Sequence, residues 1–408
     1  MLFQFIWDRR QTETMRKLFA ALLALSLAVG LCACGSSSET EEETPTLRIG
    51  VFEPLSGADA AHGEAELLGM RCAHRDKPTV RIGKKDYQIE LVVQDNGGSA
   101  SFAPAAAQKL LDTGVSVVLG SYGDTVSKIG GAVFGSAGVA VIGASCSAPE
   151  LTDGNDYFFR VCSTAEVQAD AMARYAFRTL EAATAYCTGH GSSDSDVRQV
   201  NAFRKAFEQE GGAVYSELLS DPPDLIACLL RAESEKADVI FAPLPVGELR
   251  QFLSLSRSLE IAIPIVGTNI LDDDSLLERP ANAEADDLGL RVYVSAFYVA
   301  GANSAFESSL RSYTGYNPET SDPADDPVSS AAALGYDAYM LAVNAIIAAG
   351  SADHADILAV MPAVSYAGVT GRMRFSDSGD AVRESIYVKR ADYINGRWRQ
   401  ERSAVPGI

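Results

Sequence analysis

The chain has 408 residues, 47% of them hydrophobic and 22% charged, enough apolar material for sizeable cores on a length that corresponds to two or three domains. Lys and Arg number 34 against 54 Asp and Glu, a formal net charge of −20. That balance excludes nucleic acid and anionic membrane surfaces as main partners, since both are polyanions held by basic patches.

The first ordered pattern begins at Met15. Arg16 and Lys17 precede an apolar run from Leu18 to Val29, and Leu31-Cys32-Ala33-Cys34 follows. A basic start, an apolar stretch and small residues ahead of a cleavage point make an export signal. A start at Met15 would also leave Asp8 and Glu13 out of that signal, so Met1 and Met15 both stand as candidate starts. Leu31 to Cys34 resembles the bacterial lipobox, which implies a diacylglyceryl thioether on Cys34 and cleavage just before it. Leu18 to Ala33 falls short of the ~20 residues that span a bilayer. GSSSETEEET (35–44) is too polar to order itself. Residues 1–33 are therefore read as a lipoprotein signal and 34–45 as a disordered tether. No later apolar run is expected to reach membrane-spanning length, which leaves an exported body held by lipid on the outer face of the cytoplasmic membrane, or in a periplasm.

Five cysteines follow Cys34: Cys72, Cys146, Cys162, Cys187 and Cys228. None has CxxC spacing, so zinc and dithiol redox chemistry are not expected. An odd number leaves at least one thiol free. Export permits a bridge, and Cys146 with Cys162 is the pair predicted, the alternative being two small buried apolar side chains.

From Leu47 onward, short β-rich apolar runs alternate with longer amphipathic ones, the pattern of parallel α/β sheets. Strands are predicted at 47–52, 88–93, 115–120, 139–144 and 157–161. A second series falls at 183–187, 213–216, 238–243, 263–267 and 291–297. Helices are predicted at 102–113, 125–135, 165–180, 197–210, 225–235 and 248–259. Two series imply two sheets. Beyond Phe297 come helices at 304–314, 329–349 and 353–361, then TGRMRF (370–375), SIYVKR (385–390) and INGRW (394–398), which read as antiparallel strands.

Catalytic signatures are missing. The sequence has no GxxxxGK[ST], HExxH or GxSxG, and FGSAG (134–138) misses the last by one position. His62, His74, His190 and His354 show no ligand spacing, so neither metal nor cofactor is expected.

Several segments together resemble the solute-binding proteins of branched-chain amino-acid ABC importers. They include RIGVFEPLSGADAAHGEAELLG (48–69), VVLGSYGDTVS (117–127), GVAVIGASCSAPELT (138–152), IFAPLPVGELRQFLSLSRSLEIAIPIVGTN (240–269), GYDAYMLAVNAI (335–346) and GVTGRMRFSDSGD (368–380). The resemblance implies two three-layer α/β/α lobes with mainly parallel sheets, joined by a three-segment hinge. The crossovers would fall near 162–164, 293–298 and 365–369, giving lobe 1 residues 46–162 plus 298–364 and lobe 2 residues 163–297 plus 365–408. It also implies a monomeric receptor that closes on a small polar ligand, an amino acid or related compound, and hands it to membrane permease subunits. A sensory protein of the same fold, or a paralogue that has lost binding, would share the pattern. A hydrolase would need a nucleophile with an oriented base, which the sequence does not offer.

In GSYGDT and GASCSAPE an apolar strand ends in a turn that opens a helix, leaving free N–H groups that attract anions. By resemblance these loops hold a ligand carboxylate through Tyr122, Gly123, Asp124, Ser145 and Ser147, with Thr125 and Cys146 beside them. Ser147-x-x-Glu150 is also a capping box, and Asp124 or Thr125 a good N-cap, which alone could account for the residues. Five positions depart from the family pattern. Asp124 replaces a serine, Asn269 an acid that pairs with the ligand ammonium, Ser195 a covering tyrosine, Arg198 a glycine, and His62 an aromatic of the first loop. A changed ligand, with Asp124 taking an amino end and Arg198 an acidic end, and drift without binding both fit these departures.

Overall fold

A computed structural model describes residues 44–277, 291–393 and 397–406. The signal, Cys34, most of the tether and part of INGRW lie outside the described residues.

Six strands form the first sheet: β1 (Thr46–Glu53), β2 (Thr79–Ile82), β3 (Lys85–Asp95), β4 (Val117–Leu119), β5 (Val141–Gly143) and β6 (Phe158–Arg160), in the order β2-β3-β1-β4-β5-β6. All pairings are parallel except the β2–β3 hairpin, an edge element that the alternation pattern did not reveal. Val117 and Leu119 enter one apolar cluster while Val118 enters another on the opposite face. Helices cover both faces, which is why these strands read as unbroken apolar runs.

The second sheet comprises β7 (Thr184–His190), β8 (Ala213–Leu219), β9 (Val239–Phe241), β10 (Ile265–Gly267), β11 (Val292–Ala296), β15 (Ser385–Asp392) and β16 (Arg397–Pro406), ordered β16-β15-β11-β10-β9-β7-β8. The antiparallel ending expected for the last strands is present, with β15 beside β11 and β16 outermost.

A third, small antiparallel sheet contains β12 (Ser365–Gly368), β13 (Gly371–Phe375) and β14 (Ala381–Arg383). It corrects the expected lobe boundary. Met373 and Phe375 join the core of the first sheet, and the β13–β14 turn is tied there too, with Asp380 ion-paired to Arg160 and accepting from Thr152 Oγ1, at 2.8 Å each. The chain therefore returns to lobe 2 after Arg383, not at 365–369.

Arg383 marks where the three crossovers meet. Its guanidinium donates to Val161 O, next to β6, and to Thr370 O at 2.8 Å each, and lies 5.4 Å over the ring of Phe297, next to β11. Asp337 supports the same corner by accepting from Val369 N at 2.8 Å and Thr370 N at 2.9 Å.

Helix Ser330–Ala349 corrects a second expectation. Its 20 residues are long and apolar enough to cross a membrane, but 67% of its apolar window is buried inside lobe 1. It lies against helix Ala60–Asp76 at very short range. A Cβ on Gly69 would sit 1.9 Å from Ala332 O, and one on Gly335 would sit 2.1 Å from Glu66 O. These two glycines bring the backbones together and fix where Glu66 points.

Candidate ligand-binding cleft

β4 and β5 are parallel neighbours, so the loops leaving their carboxyl ends lie side by side. The first turns through Gly120 and Gly123, with φ of +101° and +90°, values that favour glycine. A side chain at Gly120 would also meet Glu53 Oε1 at 2.3 Å.

The side-chain caps expected here do not form. Gly123 is the N-cap of helix Asp124–Ser136, and Ala148 that of the 3-10 turn Pro149–Leu151, neither with a side-chain cap bond. Asp124 reaches across to the second loop instead, where its Oδ1 accepts from Ser147 N at 2.9 Å and Ala148 N at 3.1 Å. Glu150 turns away to Arg198, 2.9 Å distant. Each acid has found a non-local donor in place of its own helix end.

Behind the loops lie two carboxyl groups that the sequence reading missed. Glu53, at the end of β1, and Glu66, on helix Ala60–Asp76, are both fully buried. Glu53 Oε2 accepts from Tyr122 N at 2.8 Å, Glu66 Oε1 accepts from Ser145 Oγ, and the two carboxyls hydrogen-bond each other. Burial and the neighbouring Glu66 charge push Glu53 well above the carboxylate range. Burial pushes Glu66 up to about 7, with bonds from Ser145 and Glu53 opposing the rise.

In front of them, Tyr122 stacks on His62 with ring centroids 4.4 Å apart and planes 9° from parallel. The Tyr122 phenol is pushed up to about 12, first by burial and then by the carboxylates of Glu66, Asp59, Asp273 and Asp124. Four acids thus act on one phenol.

Lobe 2 meets this surface in two places. Asp273 Oδ2 lies 4.0 Å from His62 Nε2. Arg198 bridges Glu150 of lobe 1, at 2.9 Å, and Glu166 of its own lobe, at 2.8 Å. The remaining expected residues are placed differently. Thr125 is exposed. Ser195 is exposed in the first turn of helix Asp194–Glu210 and accepts from Gln199 at 3.2 Å. Asn269 contributes its backbone N–H to Gln168 Oε1 at 3.0 Å.

The predicted disulfide is not formed. All five described cysteines are free and buried. Cys162 Sγ donates to Cys146 O at 3.0 Å, so it addresses the backbone of the other cysteine and not its sulfur. Burial raises both thiols above their ordinary range, Cys162 to about 12.

Two α/β lobes joined by three crossovers, with polar and aromatic side chains of both lobes converging between them, define a bilobal solute-binding protein. The chain belongs to the periplasmic binding protein family, whose model matches residues 46–396. Among relatives, the Leu/Ile/Val-binding protein BraC3 of Rhizobium johnstonii is 26% identical over 200 residues, 48% of this chain and 53% of that protein. The chain thus matches about half the length of that curated relative. A leucine-binding protein of Thermotoga maritima has a similar structure, with a TM-score of 0.71 at 25% identity, covering 88% of this chain and 98% of that one. The fold is shared as well by an ABC-transporter solute-binding protein of R. palustris in complex with benzoate, with a TM-score of 0.68 at 20% identity over 89% and 97% of the two chains.

Glu53 and Glu66 left only a faint trace in the sequence, Glu53 as the acid that ends RIGVFE and Glu66 as the second of two acids in GEAELLG. Asp273 sits in the acidic run Asp272 to Asp274. In the structure Asp272 is bound by Lys389 Nζ at 2.8 and 2.9 Å and by Ser330 Oγ at 2.8 Å.

Proposed function

We propose that the protein is the extracytoplasmic receptor of an ABC importer, anchored through Cys34, which captures a small polar solute between its lobes and presents it to permease subunits. The observation that carries this reading is the meeting of the lobes over the Tyr122–His62 stack, through Asp273 on one side and the Arg198–Glu150 pair on the other. A solute enclosed there exchanges water for contacts with both lobes and so favours the closed form. The permease then reads the relative position of the lobes, and no bond is made or broken. The relatives' names support amino acids or aromatic acids as the ligands of the wider group.

The test is a thermal-shift screen of amino acids, amides, polyamines and short peptides. A ligand at a hundred times its Kd adds about 2.7 kcal/mol to stability, a readily measured rise in Tm. If neither the screen nor a broad metabolite extract shifts the protein, the receptor reading fails. For the anchor, labelling cells with a radioactive fatty acid should mark the protein and not its Cys34→Ser variant.

A further inference from the structure

We propose that the cleft selects a cation without a free carboxylate, because Asp124 already occupies the second-loop main-chain donors, Ser147 N and Ala148 N, that a ligand carboxylate would otherwise use. This rests on the reading of the protein as a solute receptor and specifies its substrate class.

Three observations converge. First, the free N–H groups of the second loop are taken, since Ser147 N and Ala148 N both donate to Asp124 Oδ1, at 2.9 and 3.1 Å. An internal carboxylate stands where an external one would otherwise gain charge-assisted bonds. A second anion there would have to displace it or lie beside it against like-charge repulsion. Second, the hydroxyl of the same loop is also committed, as Ser145 Oγ donates to the buried Glu66. Third, the charges that act on the Tyr122 phenol among the described residues are carboxylates. Arg198, the sequence's candidate for an anionic ligand, is held between Glu150 and Glu166. The charges felt at Tyr122 come from Glu66, Asp59, Asp273 and Asp124, all negative.

The His62–Tyr122 stack adds an aromatic surface beside these acids, which suits an ammonium, amidinium or guanidinium group. The Asp124 substitution noted in the sequence therefore does two things at once. It fills the second-loop donors of a carboxylate subsite and supplies negative charge to an amine.

The experiment is calorimetric titration of the purified chain with matched pairs that share a body and differ in charge: leucine and isoamylamine, phenylalanine and phenethylamine, benzoate and benzamidine. The expected result is that at least one cation binds ten-fold or more tightly than its carboxyl-bearing partner. In Asp124→Ser, which frees Ser147 N and Ala148 N, that ratio should fall at least ten-fold. In Asp124→Asn, which can still fill the donors but carries no charge, cation affinity should fall without a gain for the carboxylate. Circular dichroism and Tm show whether each variant is folded, and the asparagine variant keeps the test open if the serine variant is not. Tighter wild-type binding of leucine, phenylalanine or benzoate than of the matching cation overturns the inference and leaves the receptor reading standing. So does a ratio unchanged by both substitutions. Absence of binding for all six ligands also overturns it, and the metabolite-extract screen then decides separately whether the receptor reading survives.

Discussion

Glu66→Gln should make the protein more stable at pH 8 and leave it unchanged near pH 4. The Glu66 carboxyl titrates at about 7 in the folded chain against 4.5 when free, chiefly because it is buried. Between those values the folded state holds a proton that the unfolded state has released. Its contribution to stability is fully present below pH 4.5, declines as the pH rises towards 7, and is gone above it. At ~1.4 kcal/mol per pH unit, the gap of about 2.5 units is worth up to about 3 kcal/mol. Glutamine keeps an acceptor for Ser145 Oγ while removing the charge, so most of this penalty should vanish. Urea unfolding at half-unit steps from pH 4 to 8 measures the effect. A variant whose stability falls as steeply as wild type between pH 5 and 7, or one destabilised at pH 8, would refute the assignment of a buried, proton-sharing pair.

Three further outcomes follow from the packing. Arg383→Met removes the donors of Val161 O and Thr370 O at the corner where the crossovers meet; it should cost about 3 to 5 kcal/mol in chemical unfolding, and a loss under 1 kcal/mol would show that the crossovers do not depend on it. Gly335→Ala places a methyl against backbone at Glu66 O and should cost about 1 to 3 kcal/mol; an unchanged unfolding midpoint would mean that the two helices are not in contact. Because Cys72, Cys146, Cys162, Cys187 and Cys228 are buried free thiols, all five should react with iodoacetamide only after denaturation. Mass mapping that finds Cys146 joined to Cys162 would contradict this.

The sequence carried the fold wherever local pattern and burial coincide. Strands covered on both faces cannot mix polar with apolar residues, so β4, β5, β9 and β10 stood out, and helices with one buried face were readable by period. β12 was hidden because SYAG is short and made of small or polar residues, and only its pairing with β13 defines it. The candidate site was legible as two loops but not as a charge arrangement. Asp124 looks like a helix cap in any local reading, and its actual partners lie 23 and 24 residues away. Glu53 and Glu66 depend on donors 69 and 79 residues distant. Nothing in their neighbourhoods announces that they are buried together. The spacing of Cys146 and Cys162 was compatible with a bridge, and only side-chain direction decides against it.

The claim at the centre of this account is that the space between the lobes, built around Tyr122, holds one small solute. Native mass spectrometry of the protein incubated with a metabolite extract addresses it directly. A single small molecule should be retained at one per chain by the wild type and lost from Tyr122→Ala. A protein that retains nothing, or a variant that retains the same molecule equally well, would contradict it.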